Sequence, residues 1–113
     1  MATLMHHGPY IAEIEFDEDA DIFHGRTINL RDMITFQGRS SKELKKSFAE
    51  SVDFYLSVCK KKGLKPEKPF TGRFVLRLQP EVHRAAVEAA AQSGKSLNTW
   101  IAEQVERSAL QEV

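Results

Sequence analysis

The first third of the chain alternates between apolar and polar side chains, which is typical of half-buried strands. In YIAEIEFD, which starts at Tyr10, every second residue is apolar and most of the intervening residues are acidic. The acidic EDAD that follows predicts a turn, DIFHGRTI from Asp21 a second, antiparallel strand, and MITFQG from Met33 a third. We expect the apolar set of the first strand to face a core: Tyr10, Ala12, Ile14 and Phe16.

A long helix is predicted next, over SSKELKKSFAESVDFYLSVCKKKG. Ser40 and Glu43 have the spacing of a capping box, and Gly63 follows the last lysines at the position favoured by a left-handed C-terminal cap. Apolar residues recur at steps of three and four, so one face of the helix can cover a sheet. The pattern predicts an α+β unit with an antiparallel sheet of three to four strands and one packed helix, whose buried stripe is Leu44, Phe48, Val52, Tyr55, Leu56 and Cys59.

The segment LKPEKPFTG has two prolines and no periodicity, which indicates a linker or extended connector. We therefore predict three parts: a domain over residues 1–63, a linker over 64–71 and a second domain over 72–113. The second domain reads as a strand in GRFVLRLQ, then two helices. Pro80 begins the first helix, Gly94 ends it, and Ser96 caps the second.

A single strand and two short helices cannot bury enough surface to fold alone. The strand would also leave its backbone groups unpaired. A second copy of the chain solves both problems, because two such strands can pair antiparallel about a two-fold axis to form a two-stranded ribbon. We expect the dimer to bury Val82, Ala86 and Leu97 together with a predicted dimer core of Phe74, Leu76, Leu78, Ile101 and Val105.

The opposite face of that strand carries Arg73, Val75 and Arg77. In a symmetric ribbon these side chains would occur twice, on an element narrow enough to enter the major groove of B-DNA. Arginine is suited to bidentate hydrogen bonds with guanine, and Val75 could contact a thymine methyl group. We predict that these three residues contact bases.

Charge and composition bound the class of protein. The chain has 113 residues and a formal net charge of zero, which argues against a generic polycation that coats nucleic acid. The single Cys59 cannot form an internal disulfide, and no apolar run approaches the roughly 20 residues that span a membrane. The start MATLMHHGPY lacks the features of a signal peptide. We expect a cytoplasmic protein that makes no membrane contact.

The acidic residues leave an enzyme open as an alternative, since a two-metal nuclease needs clustered carboxylates. Most of these acids crowd one turn instead of converging from separate strand ends, so we expect no catalytic activity, metal ion or cofactor. The residues in question are Asp17, Glu18, Asp19, Asp21 and Asp53. A second alternative keeps the C-terminal domain for dimerisation alone and makes the N-terminal domain a binding module for another protein or ligand.

The stretch GRFVLRLQPEVHRAAVEAAAQSGKSLNTWIAEQVERSA resembles the ribbon-helix-helix DNA-binding family, of the Arc and MetJ type. Together with IAEIEFDEDADIFHGRTINLRDMITFQGRSSKELKKSFAESVDFYL, it resembles the HicB family of antitoxins. The resemblance extends from about Tyr10 to Ala109.

This resemblance implies an antitoxin of a type II toxin-antitoxin pair. Its N-terminal domain, a degenerate ribonuclease-H-like fold, would bind a small HicA-type ribonuclease toxin. Its C-terminal domain would form a homodimer or a higher even-numbered oligomer, bind operator DNA and repress its own operon. The resemblance also implies phosphate contacts at the start of the last helix, where a helix N-terminus favours anions: Lys95, Ser96, Leu97 and Asn98. The acidic region from Glu13 to Asp21 suits a basic partner.

Overall fold

The computed structural model describes residues 2–28 and 30–111, which form two compact units, Met1–Arg73 and Phe74–Val113. The first unit contains a four-stranded antiparallel sheet and one helix, and the second contains two helices. The predicted α+β class is therefore confirmed. Within the described residues, no helix has the length and apolar character needed to cross a membrane.

The sheet is a meander in which each strand pairs with the next along the chain. Residue pairs such as Ile14 with Gly25, and Gly25 with Phe36, fix the register across its centre. The predicted strands from Tyr10, Asp21 and Met33 are all present. The four strands are β1 (Thr3–His7), β2 (Tyr10–Asp17), β3 (Ile22–Thr27) and β4 (Thr35–Gly38).

Strand β1 was not among the three strands that the apolar pattern located. It pairs with β2 through the register His7 to Tyr10, with only Gly8 and Pro9 between the two strands. Gly8 has a φ of 56°, which glycine adopts without a steric penalty. The dipeptide Gly8-Pro9 is typical of turns and is the sequence signal for this hairpin.

One face of the sheet is covered by helix α1 (Ser41–Lys61). The Ser40 side chain accepts a hydrogen bond from the amide of Glu43 at 3.1 Å, which confirms the predicted N-cap. The rings of Phe36 and Phe48 stack with their centroids 4.4 Å apart. The core between sheet and helix consists of Tyr10, Ala12, Ile34, Phe36, Leu44, Phe48 and Val52.

Residues 64–71, predicted to be a linker, group with the first unit. The amide of Glu67 donates to the Tyr55 hydroxyl at 3.0 Å, and the Glu67 carboxylate accepts from the amide of Arg31 at 2.9 Å. Pro69 is buried. This segment, which we call the connector, is thus held against the unit that precedes it. The division into domains at residues 64–71 stays a prediction.

The second unit is a pair of helices, α2 (Pro80–Gln92) and α3 (Leu97–Leu110). The chain reverses direction at Gly94, which has a φ of 68°. The amide of Lys95 donates to the Ala90 carbonyl and that of Gly94 to the Ala91 carbonyl, the hydrogen bonds of a Schellman motif. The predicted helix, glycine turn and helix are therefore present in the chain.

Candidate nucleic-acid interface

Residues 73–78, which we call the ribbon segment, span the boundary between the two units and belong to neither a helix nor a strand. All six side chains are exposed. Within the described part of the chain, the backbone groups of residues 74–78 form no hydrogen bonds. Such a segment has the free donors and acceptors that pairing with another strand requires. The predicted strand is not formed by one copy of the chain.

The apolar residues of the ribbon segment lack cover. Phe74 is 76% exposed, Leu76 49% and Leu78 39%. On α3, Val105 is 48% exposed and Ile101 is half-buried. In a single chain, the residues of the predicted dimer core are therefore apolar side chains that are wholly or partly exposed.

The interior of the second unit is small. Its buried hydrophobic residues, within the described range, are Ala86 and Ala90 on α2. Helix α3 has no buried residue. Two alanines bury little apolar area, and burial of apolar area is the main favourable term in folding. The second unit consequently needs a further apolar surface to pack against.

The predicted base-contacting residues Arg73, Val75 and Arg77 are all exposed. Neither arginine forms an ion pair with a carboxylate of the described chain. The backbone at Arg73 is fixed by Thr71, whose hydroxyl accepts from the Arg73 amide at 3.2 Å. Both guanidinium groups are available to an external acceptor.

The predicted phosphate-contacting residues lie at the start of α3. The Ser96 hydroxyl accepts from the amide of Thr99 at 3.1 Å and so caps the helix. The amides of Leu97 and Asn98 donate to no acceptor in the described chain. Two free donors at a positive helix end are suited to an anion.

Lys95 is an exception within that group. Its ammonium forms an ion pair with the carboxylate of Glu103, which lies in the middle of α3. Sequence reasoning missed this pair, because a spacing of eight residues is not a helical i, i+4 pair and Lys95 precedes the helix. Lys95 would have to leave Glu103 before it could contact a phosphate.

The acidic turn between β2 and β3 has a structural role. The Asp17 carboxylate accepts from the amides of Asp19 and Ala20 at 3.1 and 3.2 Å. Asp21 has a φ of 54°, a conformation that aspartate tolerates better than most residues. Across residues 2–28 and 30–111, no three His, Cys, Asp or Glu side chains are grouped so that they could hold a metal ion. Turn geometry therefore accounts for the conformations of Asp17 and Asp21.

The sheet face opposite α1 is polar and open. The Arg26 guanidinium pairs with the Glu13 carboxylate at 3.3 Å, and Nε2 of His24 lies 3.8 Å from Oδ2 of Asp17. Glu15 faces His24 across the strands and forms no ion pair within the described residues. A depression of about 480 Å³ adjoins these side chains. On this face the Glu13 carboxylate of β2 is therefore paired with the Arg26 guanidinium of β3.

The fold and this interface define a two-unit α+β protein in which an arginine-bearing segment without strand pairing precedes two helices, the second of them capped by Ser96. A family model described as the HicB family matches residues 55–105, from the second half of α1 through the connector and the ribbon segment to Val105. The match covers less than half of the chain and does not include the sheet. This part of the chain is therefore similar to the HicB family. No curated protein and no solved structure matches the chain.

Proposed function

We propose that the protein is the antitoxin of a type II toxin-antitoxin pair, which neutralises a small HicA-type ribonuclease toxin and represses its own operon by binding operator DNA. The family match supports the antitoxin role in its general form. The observation that carries the DNA-binding part is the ribbon segment, with its apolar residues uncovered and its backbone unpaired.

A second copy of the chain would supply both the hydrogen-bond partners and the apolar cover that the ribbon segment lacks. Antiparallel pairing about a two-fold axis would satisfy the free backbone groups of both copies at once. It would also bring Phe74, Leu76 and Leu78 of each copy over the helices, which lack a larger interior of their own. The functional assembly is then a homodimer or a higher even-numbered oligomer.

Pairing would leave Arg73, Val75 and Arg77 of both copies on the outer face of the ribbon. Side chains alternate across a strand, so the apolar and arginine-bearing sets separate cleanly. A two-stranded ribbon fits the major groove, where the arginines can recognise guanine. The free amides of Leu97 and Asn98 would hold a backbone phosphate and fix the register of the ribbon on the duplex.

The first unit would bind the toxin. Its open sheet face carries Glu13, Glu15 and Asp17, which suit a basic partner. Glu15 is the carboxylate of this set without an ion pair in the described chain, so it is the one most available to a cation of the toxin.

The DNA-binding part is tested with a duplex from the region upstream of the protein's own gene. Arg73→Ala with Arg77→Ala should weaken binding by about 1–3 kcal/mol for each bidentate pair removed and should reduce the preference over a shuffled duplex. Arg84→Ala with Arg107→Ala removes the same charge from exposed positions of α2 and α3 and serves as the control. Unchanged affinity and preference in the Arg73/Arg77 variant would refute the ribbon assignment.

The toxin-binding part is tested through the adjacent reading frame. A very small basic protein encoded there should arrest growth when expressed alone, and co-expression of this chain should restore growth. Co-purification of the two proteins, weakened by Glu15→Lys, would locate the contact on the open sheet face. Failure of the chain to bind or neutralise that neighbour would leave a solitary regulator.

A further inference from the structure

A second basic surface lies directly before the ribbon segment. Within nine residues the chain has five exposed lysines, which we call the lysine cluster: Lys60, Lys61, Lys62, Lys65 and Lys68. None of them pairs with a carboxylate in the part of the chain that the structure describes. Glu67 is the one acidic residue among them, and its carboxylate accepts a hydrogen bond from the amide of Arg31.

The backbone that carries the lysine cluster is held in place at both ends. Helix α1 closes with hydrogen bonds from the amide of Leu64 to the Cys59 carbonyl and from the amide of Gly63 to the Lys60 carbonyl. Beyond it, the amide of Glu67 is bound to the Tyr55 hydroxyl. The lysines therefore lie on an ordered surface of the first unit and are not part of a mobile tail.

The helix dipole explains only part of this arrangement. Lysines in the last turn of α1 stabilise its negative end. Lys65 and Lys68 lie beyond the helix, where that effect has fallen away, and they add like charge to the same surface. Elsewhere in the described chain Lys46, Arg84 and Lys95 are each compensated by a nearby glutamate. Lys42 and Lys45 form no ion pair there, but they flank Glu43 in the sequence. A fixed group of uncompensated cations is suited to an external polyanion.

We propose that the lysine cluster binds the phosphate backbone of the operator beside the bases that the ribbon reads. This inference rests on the proposed DNA-binding function and extends its footprint to the first unit. Lys68 and Arg73 are five positions apart in the sequence, so their Cα atoms lie at most about 18 Å apart. Duplex DNA carries one phosphate charge per about 1.7 Å of axis and completes a turn in about 34 Å, so such a distance stays within the same operator half-site.

The test compares two double variants of the whole chain. Lys65→Gln with Lys68→Gln removes two charges outside any helix, so the dipole of α1 is unaffected. Lys42→Gln with Lys45→Gln removes two exposed, unpaired charges from the other end of α1 and is the matched control. Binding is measured against salt concentration, with the upstream duplex and with a shuffled duplex of the same length.

The slope of log affinity against log salt should become shallower by about 2 to 4 in a dimer of the Lys65/Lys68 variant, at close to 0.9 for each phosphate that is no longer neutralised. The change should be the same on both duplexes, because phosphate contacts carry no sequence information. The control variant should keep the slope of the unmodified protein.

The outcomes separate this inference from the proposed function. If the unmodified protein prefers the upstream duplex but the Lys65/Lys68 variant keeps its slope, the inference is wrong and the DNA-binding function stands. An equal reduction of slope in the Lys42/Lys45 control would also overturn it, since net charge alone would then be responsible. If the unmodified protein binds neither duplex, the proposed function itself fails.

Discussion

Truncation of Phe74 tests whether the ribbon segment pairs with a second copy. Phe74 is 76% exposed in the single chain. Full burial of a phenylalanine side chain contributes about 1.5–3 kcal/mol, so covering its exposed part would contribute about 1–2 kcal/mol per copy. A symmetric dimer contains the residue twice. Phe74→Ala should therefore weaken dimerisation by about 2–4 kcal/mol, which raises the dissociation constant about 30- to 700-fold.

Val75 provides the control, because the adjacent residue of a strand points to the opposite face. It is 86% exposed, and in the proposed ribbon it faces DNA instead of the dimer core. Val75→Ala should change the dissociation constant less than about fivefold, the effect expected of a surface substitution in each of two copies. Sedimentation equilibrium over a range of protein concentrations measures both variants.

Two results would refute this reasoning. One is a Phe74→Ala variant that dimerises as tightly as the unmodified protein. The other is equal weakening by Phe74→Ala and Val75→Ala, which would mean that the two faces of the segment are not distinguished. In either case the apolar residues of the ribbon segment would need another explanation.

The first unit offers three further tests. Gly25→Ala should destabilise it by about 1–3 kcal/mol in urea denaturation, because an added Cβ would lie 2.2 Å from the buried Phe36 ring. Unchanged stability would mean that this ring moves aside freely. Ser40→Ala should cost about 1 kcal/mol, since it removes the hydroxyl that accepts from the amide of Glu43. Burial raises the pKa of Tyr10 above its ordinary value near 10, and the electrostatic effect of Cys59 raises it further. Its contribution to stability is therefore complete below pH 10 and is lost as the pH rises toward the raised value. Tyr10→Phe should make the alkaline decline in unfolding free energy shallower, and an identical decline would contradict this.

Local pattern accounts for most of the secondary structure. The alternation of apolar and polar residues located β2 and identified the side of it that faces the core. The capping residues Ser40 and Ser96 located the starts of two helices. These signals work because strand and helix periods, and the need to satisfy terminal amides, are properties of adjacent residues. Phe16 marks their limit. It belongs to the apolar face of β2 but is 52% exposed, beside the turn where the strand ends.

Contacts between distant parts of the chain were decided only by the tertiary structure. The hydrogen bonds that join Glu67 to Tyr55 and Arg31, and the ion pair of Lys95 with Glu103, follow from which segments the fold brings together. No sequence period encodes them, because they depend on the path of the connector and of the turn before α3.

The ribbon segment is the remaining case. The sequence by itself determined that its apolar and arginine residues alternate, and that alternation separates a packing face from a reading face. The tertiary structure of one chain decided that the packing face is left open, since the second unit buries only two alanines of its own among the described residues. A strand forms only when its backbone groups find a partner, and within one chain this segment has none in the part that the structure describes.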